Sequence, residues 1–399
     1  MSQDRIGVWF IGALGGVATT ATVGLAALQE GLSQETALVS ALPAFKDLGL
    51  ADWKQFVVGG HEIRTTTYQA EADVLYRNSR VFSPELLNGV AARLKEWDAN
   101  IKPGTLLNVG PTIASFADEK TKKFEKEKPW DAVTRLKTDI EQFQTAHKLS
   151  KVLVVNVSST EPPLDKAAPS TWKELEAALK SSTESIVPAS TLYAIAAMLS
   201  GCPFINFTPS IGSDIPALND LALQQKVLHV GRDGKTGETL MKSILAPMFA
   251  ARNLHVMSWV GHNIFGNMDG KVLDDPINKA NKVRSKDHLL TEILGYKPQT
   301  LVSIEYIESM GDWKTAWDHI HFEGFLGTKM ALQFTWQGCD SLLAAPLVLD
   351  LIRLSEREQR RGKSGIMSVL SSFFKSPMGC DQPEFHQQYD LLPSLGRRT

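Results

Sequence analysis

Cysteine is scarce in this chain. Cys202, Cys339 and Cys380 are its only three in 399 residues, far apart and with no C-x-x-C pair among them. So small and scattered a set excludes a disulfide framework and a cysteine-based zinc site, and it indicates a reducing compartment. An excess of either charge is missing too: 42 Lys and Arg against 44 Asp and Glu leave a net charge of −2. That balance argues against a nucleic-acid or anionic-membrane partner, while allowing a local basic pocket. One long stretch, Ile6 to Gln29, has no charged residue at all, which by length alone suggests a signal peptide or a membrane span. Its only preceding cation, Arg5, is offset by Asp4, and the stretch carries five glycines besides Thr19, Thr20 and Thr22. A soluble, cytoplasmic protein is therefore expected.

What is present is an alternation of strands and helices. "IGVWFI" reads as a strand buried on both faces, "GALGG" as a turn, and Val17, Ala21, Gly24, Leu25 and Leu28 fall at helical spacing. Further strands are expected at 55–60, 104–110, 151–159, 202–210 and 226–234, with amphipathic helices at Pro84–Trp97 and Trp130–His147. This pattern predicts a Rossmann-type doubly wound parallel sheet of the α/β class. After about residue 240, "LHVMSWVGHN", "TLVSIEYIES" and "HIHFEGFLG" read as longer strands of a mixed or antiparallel sheet. "DSLLAAPLVLDLIRLSERE" reads as a helix, "EREQRRGKSG" (356–365) as a charged surface linker, and no internal repeat is visible.

The glycines of "FIGALGG" are Gly12, Gly15 and Gly16. At the end of a first strand they would let backbone approach a pyrophosphate at a helix N-terminus, although the G-x-G-x-x-G spacing is absent. They would equally serve a tight turn with close strand–helix packing. Glu62, in "GGHEI" after the second expected strand, is placed to accept ribose hydroxyls, further on than the usual interval of about 20 residues. A carboxylate there favours NAD over NADP.

The second half is more specific. "GRDGKTGETLMKS", "GHNIFGNMDG", "NKVRSK", "GDWK", "CDSLLAAPLVLDL" and "FFKSP" follow one another from 231 to 377. Together they resemble the myo-inositol-1-phosphate synthase family, whose stretches look like GDDFKSGQTKxKS, YNHLGNNDG, an S-K-x-x-S-K pair, GDSK and C-x-DSLLAxPLxLDL. The N-terminal half is similar as well, with "VVGGHEI" where the family has a G-W-D-I turn and "INFTPS" where it has I-N-G-S-P. The resemblance implies an active site of Lys282, Lys286, Lys314 and Lys375, carboxylates Asp233, Asp269 and Asp340, and asparagines Asn263 and Asn267. It implies NAD contacts at Gly12, Gly15, Gly16, Val17, Ala18, Glu62, Ile63, Thr160, Asp233, Thr236 and Asp269. There are departures: the G-W-G-G-N-N-G loop is "GALGGVA" here, T-A-N-T-E-R is "VSSTEP", and N-G-S-P-Q-N is "NFTPSI". A diverged branch that keeps the lysine–aspartate set is the expected identity.

The architecture so implied is a discontinuous NAD-binding domain, 1–239 and 344–399, around an inserted α+β catalytic and oligomerisation domain, 240–343. The implied activity is cyclisation of a hexose phosphate, glucose 6-phosphate, to inositol phosphate by C5 oxidation, enolisation, aldol closure and re-reduction. A homo-oligomer, by resemblance a tetramer, is expected, with no membrane partner. The chemistry explains the lysines. Negative charge develops on the C5 and C1 oxygens beside a phosphate dianion, and fixed ammonium groups stabilise it. An isolated lysine, with pKa about 10.4, cannot act as a base at neutral pH, and crowding several together favours loss of one proton. Lys282 is the leading candidate for proton transfer and the C5 oxygen, Lys286 and Lys375 for phosphate or oxyanion contacts, and Lys314 for the C1 oxygen or a hydroxyl. Ser285 could cap a helix bearing Leu289, Leu290, Ile293 and Leu294.

Simpler readings compete at each position. Lys279 reads as a solvated side chain, Asp269 also as a turn former, and Asp340 also as a helix N-cap. His319 and His321 would share one face of a strand without forming a metal site. Trp313 and Trp317 read as core or interface residues. At the level of function, the alternatives are the same type of cyclase on another sugar phosphate, a NAD-dependent dehydrogenase that releases NADH, or a catalytically silent NAD-binding scaffold.

Overall fold

The computed structural model describes residues 4–163, 167–267, 270 and 289–396. Lys282, Lys286, Asp269 and the expected Ser285 cap lie outside the described residues. The strands in chain order are β1 (Ile6–Ile11), β2 (Phe56–Glu62), β3 (Ile101–Pro103), β4 (Lys151–Asn156), β5 (Phe204–Asn206) and β6 (Leu228–Gly231). They are followed by β7 (His255–Phe265), β8 (Gln299–Tyr306), β9 (Trp313–Glu323), β10 (Lys329–Cys339) and the two-residue β11 (Gly365–Ile366).

Every residue of β1 is buried, because helices cover both faces of the sheet it joins. That sheet has seven parallel strands in the order β11-β6-β5-β4-β1-β2-β3. Ile6 lies opposite both Phe56 and Lys151. The chain therefore reverses its direction of winding at β1, which opens a crevice between the carboxyl ends of β1 and β4 where such folds bind ligands.

Helix Pro84–Asp98 shows how local pattern becomes packing. Ser83 Oγ accepts the Leu86 amide at 3.2 Å, capping the helix, and Pro84 occupies its first turn. Leu87, Val90, Leu94 and Trp97 then fall on one face and are the residues buried. Each such side chain contributes roughly 1.5–3 kcal/mol, so an aspartate at Leu94 would undock the helix.

Four-stranded β10-β9-β7-β8 is the mixed sheet expected, β7 and β8 being parallel and the other pairs antiparallel. Its inner face meets helix Glu238–Ala251 through Phe249, Val256, Trp259 and Ile320, a second core separate from the first. Leu290, in the helical stretch 289–294, completes it. On the other face His262 stacks on Trp317, ring centroids 5.7 Å apart, and Leu301 is 55% exposed. Trp313 and Trp317 are 39% and 40% exposed, so neither belongs to the core of this chain.

Several expectations are corrected. Residues 104–110 are not a strand: Asn108 and Gly110 take left-handed φ of 55° and 84°. The polar groups of that segment bond outside any ladder, Thr105 N to the Tyr193 hydroxyl and Asn108 Nδ2 to the carbonyls of Ser185 and Val187. Of residues 356–365, 361–364 form the exposed turn expected of a surface linker, but 356–360 do not. Helix Asp340–Arg360 runs through them, with Glu356, Arg357 and Glu358 no more than 7% exposed. Lys151 pairs with Glu356 at 3.0 Å, while Arg357 donates to the Leu48 and Leu395 carbonyls at 2.7 and 2.8 Å. Strand β9 ends at Glu323, and Phe325 and Leu326 are exposed in the turn beyond it. β10, absent from the expected strands, pairs with β9 along its whole length.

Candidate active site

A cavity of about 510 Å³ opens at the carboxyl ends of β1 and β4. Its floor is the turn after β1. Gly12 sits at φ 75°, and a Cβ there would fall 2.8 Å from Ser158 Cα, so glycine is required by conformation and by contact alike. The amides of Gly12 and Ala13 donate to the His61 carbonyl, Leu14 N to Glu62 Oε2 at 2.9 Å, and Gly15 N to Gly12 O. Helix Gly16–Gln29 follows with no side-chain cap and no acidic residue in its first turn. The first-turn amides of Gly16, Val17 and Ala18 are those a helix cannot satisfy for itself. Gly12, Gly15, Gly16 and Val17 line the cavity; the Ala18 side chain is fully buried behind it.

Glu62, Ile63 and Thr160 line the same cavity. Glu62 was expected to face ribose hydroxyls, but most of its capacity is used elsewhere. Besides Leu14, its Oε1 accepts Ile63 N at 2.8 Å and Arg64 N at 3.2 Å. Three of roughly four acceptor positions of a carboxylate are filled, so its main structural role is to hold the glycine turn against β2. Arg64 closes the arrangement by donating to the Leu14 carbonyl at 2.6 Å.

The opposite wall carries charge. Lys375 Nζ lies 2.7 Å from Asp233 Oδ1, and Lys314 Nζ lies 3.7 Å from Asp340 Oδ1. All four line the cavity, as do Thr236 and Asn267. Asn263 bounds a smaller recess next to it, shared with Thr236, Lys314 and Lys375. Lys314 also lies over the Phe265 ring, 4.9 Å from its centroid. The described residues thus bring two of the four expected lysines and two of the three expected aspartates to one place, facing the glycine turn. Asp340 is the first residue of its helix and Cys339 holds the N-cap position, so Asp340 is not the cap.

The family model for myo-inositol-1-phosphate synthase matches residues 6–394. The chain belongs to the myo-inositol-1-phosphate synthase family. It is 34% identical over 421 aligned positions to inositol-3-phosphate synthase 1 of Bacteroides thetaiotaomicron, covering 98% of this chain and 93% of that one. With the human inositol-3-phosphate synthase 1 it shares 32% identity over 270 positions, 61% of this chain and 47% of that protein. The solved inositol-3-phosphate synthase of Caenorhabditis elegans superposes with a TM-score of 0.86 at 23% identity, covering 99% of this chain and 85% of that one. A myo-inositol-1-phosphate synthase-related protein from Thermotoga maritima gives 0.78 at 21% identity, covering 99% of each chain. The synthase family is one of isomerases and of NAD-binding proteins, so NAD is the cofactor of this chain.

The residues fit that cofactor. A helix N-terminus without a cap or acid faces the cavity, as a diphosphate requires. Thr160 Oγ1 is buried in the cavity wall with no hydrogen-bond partner among the described residues, a group that a bound dinucleotide would satisfy. Among the described residues no group of three or more His, Cys, Asp or Glu is arranged to hold a metal ion. His319 and His321 have ring centroids 6.4 Å apart. Among the same residues no helix is long and apolar enough to cross a membrane.

Two residues of this synthase-family site, Asp312 and Glu161, and one outside the cavity lining, Lys235, were not singled out from the sequence. Asp312, 4% exposed, accepts Asn267 Nδ2 at 2.9 Å, Ser341 N at 2.9 Å, the Ser341 hydroxyl and the Cys339 thiol. It thereby ties the asparagine loop to the helix that carries Asp340; its neighbour in "GDWK" was the available signal. Glu161 accepts Ser190 N at 2.8 Å and Ser190 Oγ at 2.5 Å, and burial raises its pKa to about 7. Lys235 donates to Gln388 Oε1 at 2.5 Å. Burial lowers its pKa to about 8, with the Lys375 ammonium pushing the same way.

Proposed function

We propose that this protein cyclises glucose 6-phosphate to 1L-myo-inositol 1-phosphate, the same compound as 1D-myo-inositol 3-phosphate, with no net oxidation. The observation that carries this reading is the pair of lysine–aspartate contacts, Lys375–Asp233 and Lys314–Asp340, opposite an uncapped helix N-terminus in one cavity. Bound NAD would supply a hydride acceptor, and later a hydride donor, for a substrate carbon. The chain's own residues then have three tasks. They hold a phosphate dianion, stabilise an oxyanion at C5 and then at C1, and move a proton at C6. Lys375 and Lys286 suit the phosphate or the oxyanion, and Lys314 the C1 oxygen. Lys282 is assigned the proton transfer on the family motif. Asp233 and Asp340 pair with and fix their partner lysines, and crowding of the lysine cluster favours the loss of one proton. Preorganised donors of this kind are each worth a few kcal/mol of barrier.

We assign cofactor binding to 1–239 and 344–399, and catalysis and oligomer assembly to 240–343. The outer face of the β10-β9-β7-β8 sheet, with Leu301 and Trp317 exposed, supports a homo-oligomer, and light scattering on the eluted protein tests it. The functional reading is tested by incubating the protein with catalytic NAD and glucose 6-phosphate, identifying products by NMR and following NADH absorbance. Inositol phosphate without accumulating NADH is the expected result. Cyclisation only of another sugar phosphate would move the substrate. Steady NADH production would replace the cyclase with a dehydrogenase.

A further inference from the structure

The recess beside the main cavity, about 20 Å³, is bounded in part by Glu238, Asn263, Lys314 and Lys375. Two of its walls belong to a buried polar cluster that the mechanism above does not use. Glu238 opens helix Glu238–Ala251 and is 4% exposed; Lys242, one turn later, is 1% exposed. Lys242 Nζ lies 2.6 Å from Glu238 Oε1, a buried ion pair. Its order, glutamate four residues before lysine and in the first turn, suits the helix dipole. Gly261 makes room for the pair, since a Cβ there would lie 2.7 Å from Glu238 Oε1 and 3.1 Å from Asp318 Oδ1.

The other carboxylate oxygen of Glu238, Oε2, accepts the Asn263 side-chain amide at 2.6 Å, and the same Nδ2 reaches the Ser303 carbonyl at 3.4 Å. Asn263 is 1% exposed, yet its Oδ1 has no hydrogen-bond partner among the described residues. An ionised carboxylate only accepts. It therefore admits one orientation of the asparagine amide, with NH2 toward Glu238 and oxygen away from it. A neutral amide at position 238 would tolerate either orientation. The recess lysines already have carboxylate partners, Asp233 for Lys375 and Asp340 for Lys314.

We propose that Glu238 is a positioning residue that locks Asn263 as a hydrogen-bond acceptor at this recess, so that this wall selects a sugar hydroxyl over a phosphate or carbonyl oxygen. The identity of the ligand rests on the sugar-phosphate reading above; the amide lock does not. Glu238→Gln preserves size and removes the charge that sets the amide. It is expected to lower kcat/KM for glucose 6-phosphate at least about tenfold, with NAD affinity unchanged. The Glu238→Gln/Asn263→Asp double variant reverses donor and acceptor at constant total charge, and it should recover most of the loss. Because the double variant also returns a carboxylate to the cluster around buried Lys242, the side-chain amide signal, not the rescue alone, separates positioning from a merely structural role. A single variant with wild-type kcat/KM, or a double variant no better than the single one, overturns the proposal. Side-chain amide NMR with isotope-labelled asparagine reads the lock without turnover. One carboxamide signal protected from exchange, absent in Asn263→Asp, should lose its protection in Glu238→Gln. If that signal behaves so while wild type ignores glucose 6-phosphate, the functional reading fails and the lock stands. If no such protected signal exists, the lock fails whatever the activity.

Discussion

Lys375 is fastened to Asp233 twice, by its ammonium 2.7 Å from the carboxylate and by its backbone amide 2.6 Å from the Asp233 carbonyl. The two are 142 positions apart in the chain. The lysine is thus fixed before any ligand arrives, and preorganisation of that kind is what lets a cation stabilise developing charge at little reorganisation cost. Asp233→Asn keeps the shape and removes the charge. Turnover of glucose 6-phosphate should fall roughly a hundredfold or more, while circular dichroism shows an unchanged fold.

Gly12→Ala should damage both stability and cofactor binding. The left-handed φ of 75° and the 2.8 Å approach to Ser158 Cα act together, and strain of this type costs about 1–3 kcal/mol. A lower Tm and a weaker NAD affinity, measured by titration of intrinsic fluorescence, are expected in the same variant.

Asp312→Ala removes the acceptor shared by Asn267, Ser341 and Cys339. Each buried donor left unsatisfied costs about 1–3 kcal/mol, so urea unfolding should show a loss of several kcal/mol. Asp312→Asn retains one acceptor oxygen and should lose less. A variant as stable as wild type would refute this role for Asp312.

Glu161 predicts a pH effect. Burial raises its pKa from 4.5 to about 7, against the lowering effect of hydrogen bonds from Ser190 and Ser210. A carboxyl raised on folding stabilises the protein in its protonated form. That contribution is complete below about 4.5 and is lost as pH rises through about 7. Glu161→Gln does not titrate, so its stability relative to wild type should climb by up to about 3 kcal/mol across this window. Chemical unfolding at several pH values measures it; parallel curves for the two proteins would contradict it.

The sequence by itself determined whatever depends on neighbours along the chain. The unbroken apolar run of β1 and the spacing of Leu87, Val90, Leu94 and Trp97 follow from the periods of strand and helix. The ordered lysine and aspartate motifs pointed to the family, and the glycine turn to its cofactor. Tertiary structure decided the rest. That Glu62 holds Leu14 depends on contact across two strands, and that the Asp312 amide donates to Ser79 Oγ depends on a residue 233 positions away. The charges of 356–358 looked solvated because their partners at Leu48, Lys151 and Leu395 are remote in sequence. The enclosure of the Glu238–Lys242 pair likewise depends on Gly261 of β7 and Asp318 of β9, both remote in sequence. Burial and hydrogen-bond partnership are properties of packed surfaces, and a linear pattern specifies which residues can pack but not which polar groups they will enclose.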